Sequence, residues 1–214
     1  MLDVHPPHES THSVRDFLIH LFTITVGLFI AVSLEGLVEW QHHRHLAHDA
    51  EASLNAETRA NAEGMADVLA DLHKKQEDLK QDVRILKVVI ATKKLPKDGS
   101  MEINFRIVSF DDVSWKTAQT TEALAYMPYE LAKTYASIYA TQDALTIAEK
   151  QAARDAVISL GPFLNDEKGD PDPTPEQAAA IIEKIEIFQG QLLLVDSLMK
   201  GLDEEYKQFL AAHA

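Results

Sequence analysis

From residue 41 to 49 the chain reads QHHRHLAHD. On a helix His42, His45 and Asp49 share one face at i, i+3 and i+7, and neutral imidazoles beside a carboxylate are ligands for zinc or copper. Such a site also needs a fourth ligand and partners that orient the rings. The sequence offers neither at a recognisable spacing, so the simpler reading is a hydrated collar whose charge varies with pH. His5, His8 and His12 precede a long apolar stretch and therefore belong on its other side.

The remaining reactive chemistry is thin. There is no Cys, hence no thiolate nucleophile, no disulfide and no Cys-based zinc site. Motifs of the type G-x-S-x-G, H-E-x-x-H or a phosphate-cradling glycine loop are absent. KDGSMEINF has a glycine where a calcium loop turns, but Lys94, Pro96 and Phe105 stand where that loop needs oxygen ligands. Among 34 acidic residues no hydrolytic carboxylate pair stands out. The expectation is a protein without cofactor or metal and without catalytic activity. A formal charge of -14 argues against a nucleic-acid partner, because phosphate neutralisation requires clustered Lys and Arg. One group of aromatic and amide side chains is the candidate for a small-molecule pocket: Trp115, Gln119, Tyr126, Tyr139 and Gln142. Their other reading is core aromatics whose polar tips find partners within the fold.

What positions these groups is set by the apolar stretch FLIHLFTITVGLFIAVSLEGLVEW, residues 17–40. Residues 17–34 contain no Asp, Glu, Lys or Arg. As a helix they cover roughly 27 Å, close to the hydrocarbon thickness of a bilayer. Apolar residues lie on every side of that helix, unlike the one-sided pattern of a soluble surface helix. Arg15 and Trp40 stand at the two ends as interfacial anchors. A cleaved signal peptide is the rival reading, with Ala31-Val32-Ser33 as its cut site. The long acid-containing leader and the helix-compatible sequence running straight through the cut favour an uncleaved anchor. Within the span Thr23, Gly27, Ala31 and Glu35 recur every four residues, and Gly27-x-x-x-Ala31 is a small-xxx-small pair suited to close approach of two spans.

Beyond Trp40 the chain has no Pro until Pro96 and only one Gly, Gly64, before it. With Met65, Val68, Leu72, Leu79, Val83, Leu86 and Ile90 recurring at helical steps, the span is expected to run on as one helix to about Lys94. A breaker cluster then precedes the alternating segment MEINFRIVSF, read as a loop lying over helices. VSWKTAQTTEALAYM is the next helix, capped by Ser109 or Asp111. Pro128 restarts the chain into a third helix, residues 129 to about 165, with Leu131, Tyr135, Ile138, Leu145 and Ala152 as its seam. Thr174-Pro175-Glu176-Gln177 carries the N-cap, the N1 proline and the N3 glutamine of a capping box. From there Ile181, Ile185, Phe188, Leu192, Val195, Met199, Leu202, Tyr206 and Phe209 follow in fours and threes, a coiled-coil seam.

The fold expected is all-α. Residues 1–16 form a polar N-terminal tail, 17–40 a transmembrane helix with its interface, and 41–214 an antiparallel bundle of about four helices. The order of parts resembles a widespread set of bacterial single-pass inner-membrane proteins of unknown function. The resemblance rests on the span with central Gly27, on Glu35 or Glu39 and Trp40, and on Leu54-Asn55-Ala56-Glu57 with Asn61. Trp115-Lys-Thr-Ala118-Gln119, Ala123-Leu124, Tyr139 and Gln142 complete it. It implies a membrane-anchored helical domain with its C-terminal part in the periplasm, and it brings no activity. The functional expectation is a scaffold or interaction protein with the lipid bilayer and a second copy or another membrane protein as partners. A small-ligand-sensing bundle is the alternative, and a metal-binding or hydrolytic enzyme the next.

Overall fold

The computed structural model describes residues 14–96, 108–164 and 173–213, and of residues 159–164 the backbone alone. His5, His8, His12, most of the alternating segment and the acidic turn before Thr174 lie outside the described residues. The described elements are α1 (Val14–Glu63), α2 (Met65–Thr92), α3 (Val113–Thr120), a 3-10 turn (Ala123–Tyr126), α4 (Tyr129–Leu164) and α5 (Pro175–Ala212). All are helical, as the periodicity predicts.

Gly64 separates α1 from α2 without ending the helix. Its backbone stays right-handed at φ -80 and ψ -12, and the Val68 amide still donates to the Gly64 carbonyl at 3.2 Å. The two helices form one 79-residue rod, about 120 Å long at the helical rise. Lys93, left-handed at φ 58, ends it by donating its amide to the Val89 carbonyl. The lower part of the rod is long and apolar enough to cross a membrane, and none of that stretch is buried in the fold.

The upper part carries the bundle. Leu54, Thr58, Asn61, Met65, Leu72, Lys75, Leu79, Asp82, Leu86 and Val89 are buried along one stripe, with Val68 half-buried in the same series. The spacing alternates fours and threes straight through Gly64. Two sequence expectations are corrected here. Val83 is only half-buried and Ile90 is exposed, while Asp82 and Val89 take the inward positions. A strict heptad register has room for 82, 86 and 89 on the seam and turns 83 and 90 towards its edge. On α4 the inward series is Tyr135, Ile138, Gln142, Leu145, Glu149, Ala152 and Ala156, again with polar members, and Leu131 is half-buried at its start. All nine expected positions on α5 are buried, with Ala178 before them. Thr174 and Gln177 make the reciprocal capping bonds at 3.2 and 2.8 Å.

Side-chain pairs fix the directions. His73 meets Asp196 at 3.0 Å, Gln142 donates to Tyr206, and Gln191 donates to Asp155 at 2.6 Å. Position numbers rise on α2 and α4 as they fall on α5, so α5 runs antiparallel to both. Tyr135 contacts Asn55 and packs on Phe209, which sets the C-terminal end of α5 beside α1. The fourth member of the bundle is short: α3 and the 3-10 turn pack mainly against α1 at the lower end.

Candidate functional site

At the lower end of the bundle, polar side chains of α1 tie it to α3, its entry segment and α4. Asn61 clamps the backbone of residue 111, its Nδ2 donating to the Asp111 carbonyl at 2.8 Å and its Oδ1 accepting the Asp111 amide at 2.9 Å. One helical turn earlier Glu57 uses both carboxylate oxygens. Oε1 accepts from the Tyr139 hydroxyl at 2.6 Å, and Oε2 from the Ser114 amide at 2.7 Å. Ser114 lies in the first turn of α3, where amides have no partner within the helix. Asp112 holds the N-cap position but makes no side-chain cap bond. Glu57 therefore caps α3 from another helix, and a carboxylate there also suits the helix dipole.

Trp115, one residue on, lies flat against Tyr139 with ring centroids 5.0 Å apart and planes 4° from parallel. The Tyr135 hydroxyl donates to Asn55 at 3.0 Å, and Gln142 donates to the Tyr206 hydroxyl inside the core. Burial pushes the hydroxyls of Tyr135, Tyr139 and Tyr206 well above the usual phenol range, so all three stay protonated. With both oxygens engaged, Glu57 is built to hold neighbouring groups in place.

Of the pocket candidates, Trp115, Tyr139 and Gln142 turn inward and touch Tyr139, Trp115 or Tyr206 in turn, filling the space between them. Gln119 is exposed. Tyr126 leaves the group altogether and stacks on His43, centroids 3.8 Å apart and planes 12° from parallel. That contact seats the 3-10 turn on the rod just above Trp40. Asn55, Glu57, Asn61 and Tyr135, which were not among the pocket candidates, make the contacts that organise the site. Their signal in the sequence is a run of amides and an acid bracketing Leu54, Thr58 and Asn61, the first inward positions of the seam.

On the apolar stretch Thr23, Gly27, Ala31 and Glu35 are all exposed. Thr23 satisfies its hydroxyl on the Ile19 carbonyl at 2.9 Å, and a methyl placed on Gly27 would meet nothing within 4 Å. Arg15 lies in the first turn of α1, and the Arg44 guanidinium sits 5.5 Å over the Trp40 ring. In the collar His42, His45 and Asp49 are exposed. Among the described residues no three His, Cys, Asp or Glu side chains converge as a metal site would require. No family model, curated protein or solved structure matches the chain.

Proposed function

We propose that the chain is a single-pass protein of the bacterial inner membrane. Its helical domain stands on the periplasmic side and serves as a scaffold that holds a protein partner close to the bilayer. One observation carries the reading: an apolar helix with no partner in the described fold continues as helix into the seam that organises the bundle. A helix that is apolar all round needs lipid or protein to cover it, and rigid continuity keeps the domain at a fixed height above whatever covers it. The Gly27-x-x-x-Ala31 face, open along its length, supports pairing of spans, with a second copy as the simplest partner.

Fractionation tests the anchor: the full-length protein stays with bilayers after alkaline washing, and its release into the supernatant would sink the proposal. A C-terminal phosphatase fusion is active and the matching fluorescent-protein fusion dark if the domain is periplasmic; the reverse pattern overturns that side. Gly27→Leu lowers span self-association in a membrane two-hybrid measurement, and an unchanged signal removes the pairing. Cross-linking in intact cells from positions on the bundle yields a reproducible protein adduct under the scaffold reading, whereas adducts with lipid alone refute it.

A further inference from the structure

Glu149 occupies an inward position of the α4 seam between Leu145 and Ala152, with none of its surface exposed. Among the described residues neither carboxylate oxygen has a hydrogen-bond partner. By the registers that His73–Asp196, Gln142–Tyr206 and Gln191–Asp155 set, it stands at the level of Met199 on α5 and of Val68 and Leu72 on α2. Among the described residues, the segment entering α3 also reaches this core, through Val108 and Phe110. The Val108 backbone lies close enough to act on the carboxyl.

An ionised carboxylate in such a place would have no compensation, and a buried charge without a partner is far costlier than a buried neutral acid. Several charged groups of the described packed elements are engaged elsewhere. On α2 and α5, His73 and Lys200 both bond Asp196, Lys75 acts on Asp82, Asp203 holds Lys207 and Glu205 accepts from Ser137 and Thr141. On the entering segment Asp112 pairs with Lys116, and Asp111 has its backbone clamped by Asn61. None of these charges contributes to the state of Glu149. Burial is the leading influence and pushes its carboxyl up to about 7, with the Val108 amide opposing.

From full burial at a seam position, an absent hydrogen-bond partner and the adjoining segment, we infer that Glu149 is a proton-operated latch. The bundle closes over the neutral acid, and loss of the proton releases residues 108–112 from the groove so that water reaches the carboxylate. The inference is independent of the membrane reading, since it concerns the bundle alone. Release would also free the entry to α3, and with it the anchoring of Trp115 on Tyr139.

The test is hydrogen exchange of the amides in residues 108–112, measured on the full chain in detergent micelles. In the wild type the opening equilibrium of this segment rises on the order of 10- to 100-fold between about pH 5 and about pH 8, after correction for intrinsic exchange. Glu149→Gln, which cannot ionise, loses that rise while keeping protection elsewhere on α4. A wild-type segment with no pH-dependent opening overturns the latch, and so does a Glu149→Gln protein that keeps the full rise. Should Glu149→Gln fail to fold, infrared difference spectra of the wild type decide: a protonated carboxyl band that titrates near neutrality, with segment opening on the same curve, upholds the inference. Titration of all carboxyls in the ordinary acidic range defeats it.

Discussion

Glu57 joins three elements through one side chain, since α1 carries it, α3 is capped by it and α4 reaches it through Tyr139. Glu57→Ala removes the cap and leaves the Tyr139 hydroxyl without its acceptor, at a cost of about 2–3 kcal/mol. Denaturant unfolding in micelles measures that loss, and the emission of Trp115 shifts as its ring separates from Tyr139. Tyr139→Phe costs less, about 1 kcal/mol, and a double-mutant cycle finds the two changes coupled. Residues of this kind were the hardest to read from the chain. Lys75, Asp82, Gln142 and Glu149 all hold inward seam positions, yet a reading that follows apolar residues skips them and, on α2, drifts to Val83 and Ile90. Their places are fixed by the heptad register, which their own polarity argues against. In the same way Tyr126 and Tyr139 look alike in the sequence, and only the turn at Glu122 sends one to His43 and the other to Glu57.

Elements were more legible than residues. The seam and capping box of α5 needed no tertiary information, because nine apolar positions at coiled-coil spacing leave one way to pack. The sequence of the stretch after residue 112 predicts one helix capped by Ser109 or Asp111. Instead the helix begins after Asp112, which holds the N-cap position without a side-chain bond, ends at Thr120, passes through left-handed Glu122 at φ 59 and re-forms as a 3-10 turn. The cause is tertiary: Ala123 and Met127 are buried in the core, and a straight helix would carry them past it. Backbone strain at this scale is open to measurement. Lys93 and Glu122 are the left-handed non-glycine residues of the described chain, so Lys93→Gly and Glu122→Gly each raise stability, by about 0.5–1 kcal/mol in a thermal or denaturant melt. Gly64 is the opposite case, right-handed with open space where a methyl would go. Gly64→Ala therefore stabilises the rod by about 0.5–1 kcal/mol with no change in fold, read as a higher Tm.

For the whole molecule, the buried acids invert the usual response to acid. Glu149 sits at about 7 in the folded state against an ordinary 4.5, and burial also raises Asp82, with Lys75 opposing. A carboxyl whose folded value is raised contributes stability that is complete below its unfolded value and is lost as pH rises through the folded one. For Glu149 the window runs from about 4.5 to about 7 and spans roughly 3 kcal/mol at most. Asp196 works the other way: burial raises it, but the bonds from Lys200 and His73 outweigh that and hold it low, so its share fades only in stronger acid. The Tm of the full chain should thus climb as pH falls from about 8 towards 5, and Glu149→Gln should remove most of the climb. A Tm that is flat or falling over that range contradicts the prediction.

Because Phe209 and Asn55 meet across Tyr135, the chain rises along the rod and along α4 but descends along α5. Asn55 is fifteen residues above Trp40, roughly 22 Å of helix. With the apolar stretch in a bilayer, as proposed, a dye attached near the end of α5 would hover within energy-transfer range of acceptor lipids in a nanodisc, while one placed near Thr174 would stand several times farther off.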